Sequence, residues 1–189
     1  SYYERKKQIY HMKLSFLYIC FLIFINCQES HPRRPINKKK KIFLKESAIR
    51  NKNKFEIEQE LFKKFADNSQ MKFSISEFGF WYSYRVQENS DRQIPEKGDQ
   101  VTFSYRIEDL NNNLLYSKKE LGNVSFFVDE EDVLPALRRG IKVMKENEVV
   151  VFLFPSYLCY GYQGDGEKIG MNQPLKFTIE LLKLKKKKV

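Results

Sequence analysis

Residues 149–161 read V-V-V-F-L-F-P-S-Y-L-C-Y-G. The first six are β-branched, aromatic or leucine, the composition of a strand buried on both faces. Pro155 has no N–H to give a ladder and ends the run. Tyr160 then stands beside Gly161, so a tyrosine sits on a loop at the end of a central strand, where it can line a pocket. The plainer reading of the same residues is a core strand followed by a surface loop, and the rest of the chain has to decide between them.

Downstream, Leu175, Phe177, Ile179 and Leu181 alternate in a strand over about 175–184. Upstream, Val101, Phe103, Tyr105 and Ile107 do the same, as do Phe78, Phe80, Tyr82, Tyr84 and Val86, with Trp81 on the other face. Short strands follow at 114–117, after the turn-forming Asn111–Asn113, and at 124–128. Asp129–Asp132 is an acidic entry to a short helix over about 133–142, with Leu134, Leu137 and Ile141 inward and Pro135 in its first turn. The glycine-bearing stretch 157–173 is a long loop. The fold class is α+β: an antiparallel sheet of about five or six strands wrapped on one short helix.

The chain of 189 residues carries a net charge of +10, which suggests nucleic acid or an anionic membrane. Its distribution argues against a nucleic-acid partner. Residues 78–182 hold 12 Lys and Arg against 16 Asp and Glu, so the positive charge lies in the flanks rather than on the folded face. Both histidines, His11 and His31, and two of the three cysteines, Cys20 and Cys27, precede the domain, leaving it Cys159 alone. That excludes Ser-His-Asp and Cys-His pairs and the usual Cys/His zinc sites. With no glycine-rich phosphate loop, the domain is expected to work without metal or cofactor. Cys159, beside Leu158, reads as a small buried hydrophobe.

Met12, Lys13 and the apolar run 14–25 have the form of a secretory signal, shorter than the ~20 apolar residues that span a bilayer. Translation is expected to begin at Met12. Cys27 follows at once, and F-I-N-C resembles a lipobox, with Asn26 larger than usual before the cysteine. The alternative is an ordinary signal or a short anchor. The organisation expected is a signal region at 1–27, a basic linker at 28–52, a helical extension at 53–77, the domain at 78–184 and a basic tail at 185–189. Phe55, Ile57, Leu61, Phe62 and Phe65 give that extension its apolar stripe over a helix at about 53–66.

The strings K-G-D-Q-V-T-F-S-Y-R (97–106), V-L-P-A-L-R-R-G (133–140), Y-L-C-Y-G (157–161) and L-K-F-T-I-E-L-L (175–182) resemble, in order and spacing, the FK506-binding (FKBP) type of peptidyl-prolyl cis-trans isomerase. With the lipobox and helical prefix, the chain looks most like the gliding-motility-associated isomerase lipoproteins of Bacteroidota. The resemblance implies a rotamase that assists folding of exported proteins. It would be an exported, membrane-anchored lipoprotein facing the periplasm, lipidated at Cys27, and its partners would be proline-containing segments. It places catalytic residues at Tyr105, Tyr160 and Phe177, and substrate-binding residues at Val133, Leu134, Leu137, Leu115 and Ile169. The family's floor tryptophan falls on Leu137, its Phe-Asp pair on Leu115 and Tyr116, and a flap aromatic near Val124 or Ser125. The pocket is therefore expected to lack its carboxylate and to turn over ten- to a thousandfold slowly, about 1–4 kcal/mol of barrier. The alternative is a non-catalytic interaction module on the same fold.

Overall fold

The computed structural model describes residues 38–89 and 91–188, with side chains from Leu44 onward. Met12, Cys20, Cys27 and the rest of the signal segment lie outside the described residues. The chain divides into a unit ending at Phe43 and one of Leu44–Val189; the second holds every side-chain feature below.

The sheet is antiparallel and has seven strands: β1 (Ser74–Ile75), β2 (Trp81–Val86), β3 (Gln100–Glu108), β4 (Leu114–Tyr116), β5 (Asn123–Phe127), β6 (Val149–Phe154) and β7 (Leu175–Lys185). Their order is β1-β2-β6-β7-β3-β4, with β5 also paired to β3. β6 and β7 thus lie at the centre, as their unbroken apolar sequences require. Phe80, Phe152, Phe154, Phe103 and Phe177 point to one face and are buried there. Helix α3 (Pro135–Ile141) packs across that face with Ala136, Leu137, Gly140 and Ile141. Gly140 permits the close approach: a Cβ there would lie 3.0 Å from the Phe154 ring and 3.4 Å from that of Phe152.

Two end residues of the alternating run in β2 leave the core face. Phe78 is 41% exposed because Gly79, at φ 72°, turns the chain before the strand begins. Val86 is 48% exposed because the register slips between Tyr84 and Val86, and a one-residue slip turns a side chain to the other face. A further short helix, α2 (Lys118–Leu121), is nucleated by a reciprocal capping box between Ser117 and Glu120.

The helical extension starts earlier than its apolar stripe indicates. Helix α1 runs Lys38–Asp67, taking in most of the stretch expected to be a solvated linker. No Gly or Pro interrupts those residues, and Lys, Glu, Ala, Leu and Arg are good helix formers even when nothing buries them. The docked face also differs from the expected stripe. Phe62 is fully buried against Trp81, rings 6.4 Å apart, but Ile57 and Leu61 remain exposed. Lys54, Glu58 and Gln59 share the docking face instead, and Gln59 bridges the Gly79 carbonyl and the Trp81 indole N–H. Among the described residues, no helix is long and apolar enough to cross a membrane.

Candidate functional site

β3 and β7 are neighbours in a register that pairs Tyr105 with Ile179 and Ile107 with Phe177. Tyr105 and Phe177 therefore stand diagonally on one face, where diagonal pairs meet. Their rings stack at 5.8 Å with an interplanar angle of 18°, and Phe154 of β6 meets Phe177 edge-on at 5.4 Å. Leu137 of α3 and Ile169 of the long loop are buried in the same apolar core as this cluster. Val133, Leu134, Leu115 and Tyr160 pack against that core while keeping part of their surface in solvent. All eight residues expected in the pocket thus lie in, or pack against, one apolar core. Phe177 is wholly covered, so it backs Tyr105 rather than offering a wall of its own.

The loop after β6 is held by its own polar groups. The amide of Asn172 donates to the Gly161 carbonyl at 2.6 Å, and that of Asp165 to the Ile169 carbonyl at 3.1 Å. Gly164, at φ 68°, lets the two sides meet: a Cβ there would fall 2.3 Å from the Ile169 carbonyl oxygen. Asp165 Oδ1 accepts the amides of Glu167 and Ile169, and its Oδ2 accepts the Tyr116 hydroxyl at 2.5 Å. Lys168 reaches over the Tyr116 ring, 4.5 Å from its centroid, and pairs with Glu120 of α2 at 2.8 Å. Strand β4 is thereby stitched to the loop that carries Tyr160 and Ile169.

This stitch adds a group to the expected set. A carboxylate does stand near the pocket, supplied by Asp165 rather than by the strand position now held by Tyr116. Sequence reasoning missed it because the two partners are 49 residues apart. The only local sign is an aspartate between glycines, a turn former.

Burial keeps the pocket tyrosines un-ionised near neutral pH. Burial, and then the charges of Tyr105, Cys159 and Asp165, push Tyr160 up to about 12. Burial alone raises Tyr105. Both remain neutral phenols that can donate a hydrogen bond but not serve as base. Burial disfavours ionised Asp165, yet the Tyr116 hydroxyl and the loop amides outweigh it and hold the carboxyl down to about 2. The Cys159 thiol is buried and pushed well up, first by desolvation and then by Glu58, so it is inert. What the cluster can do is exclude water, present aromatic and aliphatic surface, and orient one polar group.

Among the described residues, two open cavities of about 700 Å³ or more lie away from the cluster. One, about 700 Å³, is on the opposite sheet face and is lined by Lys72, Arg85, Arg106, Lys176 and Thr178 among others. The second, about 720 Å³, lies beside Phe78, Tyr82, Arg138 and Arg139. None of the expected pocket residues lines either one.

Residues 91–182 match the family profile of the FKBP-type peptidyl-prolyl cis-trans isomerases. A probable FKBP-type peptidyl-prolyl cis-trans isomerase, FkpA, of Neisseria meningitidis serogroup B is 32% identical over 102 residues, covering 53% of this chain and 37% of that protein. The peptidyl-prolyl cis-trans isomerase Mip of Coxiella burnetii is 29% identical over 104 residues, covering 55% of this chain and 45% of Mip. The chain thus matches less than half the length of either relative. The crystal structure of FkpA from Escherichia coli superposes with a TM-score of 0.56 at 22% identity, covering 90% of this chain and 81% of that one, which shows a shared fold.

Proposed function

We propose, on the premise that residues 91–182 belong to the FKBP-type peptidyl-prolyl cis-trans isomerase family, that this chain rotates X-Pro bonds in exported polypeptides. The observation that carries the reading is the Tyr105–Phe177 stack faced by the half-buried, neutral Tyr160. Rotation about an imide needs no nucleophile and no proton transfer. The barrier is about 18–20 kcal/mol, and bringing tens of seconds down to about ten milliseconds takes roughly 4–5 kcal/mol. A twisted imide has lost its resonance, and its carbonyl is less polar than that of the planar bond. A dry apolar pocket therefore binds the twisted form better, which is catalysis by differential binding.

Leu137 in place of a floor indole makes the fit looser, so turnover is slow for the family. The signal-like run before Cys27 supports export, lipidation at Cys27 and attachment to a membrane facing the periplasm. A role in gliding motility rests on the resemblance to the Bacteroidota lipoproteins alone. One observation favours the second reading, a non-catalytic binding module: Leu137, Ile169 and Phe177 have almost no surface in solvent. Cis/trans exchange of proline peptides, compared between the wild type and Tyr160→Ala, separates the two. A folded protein without acceleration leaves only the binding module.

A further inference from the structure

The 3-10 turn Ser156–Leu158 links the central strand to Tyr160. Its Ser156 carbonyl accepts the amides of both Cys159 (3.0 Å) and Gly161 (2.9 Å), so Tyr160 is held between two bonds to one residue. The first amides of such a turn have no carbonyl within it to meet and must be satisfied by side chains, water or other groups. The residue before it is Pro155, whose side chain has no oxygen to give, and the turn has no side-chain cap from its own N-cap residue. Glu58 supplies the acceptor from helix α1, 98 residues away: its Oε2 takes the Ser156 amide at 3.1 Å.

The same helix face grips the loop at two more points. Lys54 donates to Asn172, whose own amide holds the Gly161 carbonyl, and the Phe55 ring packs on Tyr157 at 6.3 Å. Glu58 is 3% exposed and its Oε1 has no hydrogen-bond partner among the described residues. A leucine would fill that space without the cost of burying a carboxyl. We propose that Glu58 is a positioning residue for the pocket, capping the Ser156 turn from the N-terminal helix so that Tyr160 is delivered in its working orientation. This rests on the isomerase reading of the pocket. Burial raises the carboxyl above its ordinary value, against the Ser156 hydrogen bonds and the charge of Lys54. Across the contact it faces Tyr157 and Cys159, with Arg139 beside Tyr157.

The test compares the full chain with Glu58→Ala, Glu58→Gln and Lys54→Ala by amide hydrogen exchange and by kcat/KM for a proline peptide between pH 4 and 8. Glu58→Ala should free the Ser156 and Gly161 amides about tenfold relative to those of β6 and lower kcat/KM by a similar factor. Glu58→Gln keeps an acceptor, so protection and rate should stay within about threefold. It should also abolish the inflection that the wild type shows above the ordinary carboxylate range, with ionisation raising the rate. If Glu58→Ala does not fold, Lys54→Ala should still loosen Gly161 and Asn172. Unchanged Ser156 protection, loosening spread equally over β6, or a freed amide with full activity would each overturn the proposal. A wild type without isomerase activity would sink the reading of the pocket, and the exchange arm would still decide whether Glu58 caps the turn.

Discussion

Glu108 and Lys176 are directly opposite on β3 and β7, one step along from Ile107 and Phe177. Their charges meet at 3.2 Å with side chains only 10% and 9% exposed. Arg106 Nε holds the other oxygen of Glu108 at 3.1 Å but keeps 38% of its side chain in solvent. The pair therefore fails asymmetrically. Glu108→Gln removes the one carboxylate paired with Lys176 among the described residues and leaves that lysine, almost without access to water, only the Asn112 side-chain oxygen and the face of the Phe65 ring, which should cost about 3 kcal/mol or more. Lys176→Met leaves Glu108 with Arg106 and should cost less, about 1–3 kcal/mol. Replacing both at once with apolar residues should cost less than the sum of the two single changes, because neither charge is then buried alone. Urea unfolding measures this: at a slope of roughly 2 kcal/mol per molar, Glu108→Gln should lower the midpoint by about 2 M with the slope unchanged. A midpoint within about 0.3 M of the wild type would refute the argument that these strands are joined by a desolvated pair.

Three further outcomes follow from the geometry. Tyr160→Phe removes a hydroxyl that has no intramolecular hydrogen-bond partner among the described residues, so unfolding should be unchanged, while kcat/KM for a proline peptide falls about fivefold, the value of one hydrogen bond of about 1 kcal/mol. Gly140→Val drives a side chain into Phe154 and Phe152 and should destabilise by about 2 kcal/mol, read as a lower thermal midpoint. Asp165 ionises below the ordinary aspartate value of 3.8, so its stabilisation is present above that pH and is lost as pH falls towards about 2. The carboxyl carbon shift should titrate there, and exchange of the Glu167 and Ile169 amides should quicken in Asp165→Asn.

The strands were legible because period-two alternation and the central apolar run are long-range burial written locally. β3, β6 and β7 appear within a residue of where the pattern puts them. The stack of Tyr105 on Phe177 needed the register as well, which no single strand carries. The start of helix α1 is not legible from amphipathicity, because Leu44 to Asn53 is helical by propensity without a buried stripe. Its docking face is hidden for a related reason: Glu58 and Gln59 are polar residues used as inward contacts, outside the apolar stripe of Phe and Leu. Helix α2 was not among the expected elements, although its Ser117-x-x-Glu120 capping box is a local signal for it. Tyr116 with Asp165, and Glu58 with Ser156, were not readable, since each joins chain segments that only the fold brings together.

The account turns on whether this pocket accelerates rotation of an X-Pro bond. The direct measurement is NMR exchange between cis and trans forms of a short peptide with an apolar residue before proline, with the folded protein and with Tyr160→Ala. The account predicts exchange faster than the spontaneous rate in the wild type and return towards it in the variant. A folded wild type that leaves the spontaneous rate unchanged, across several residues before proline, would contradict it.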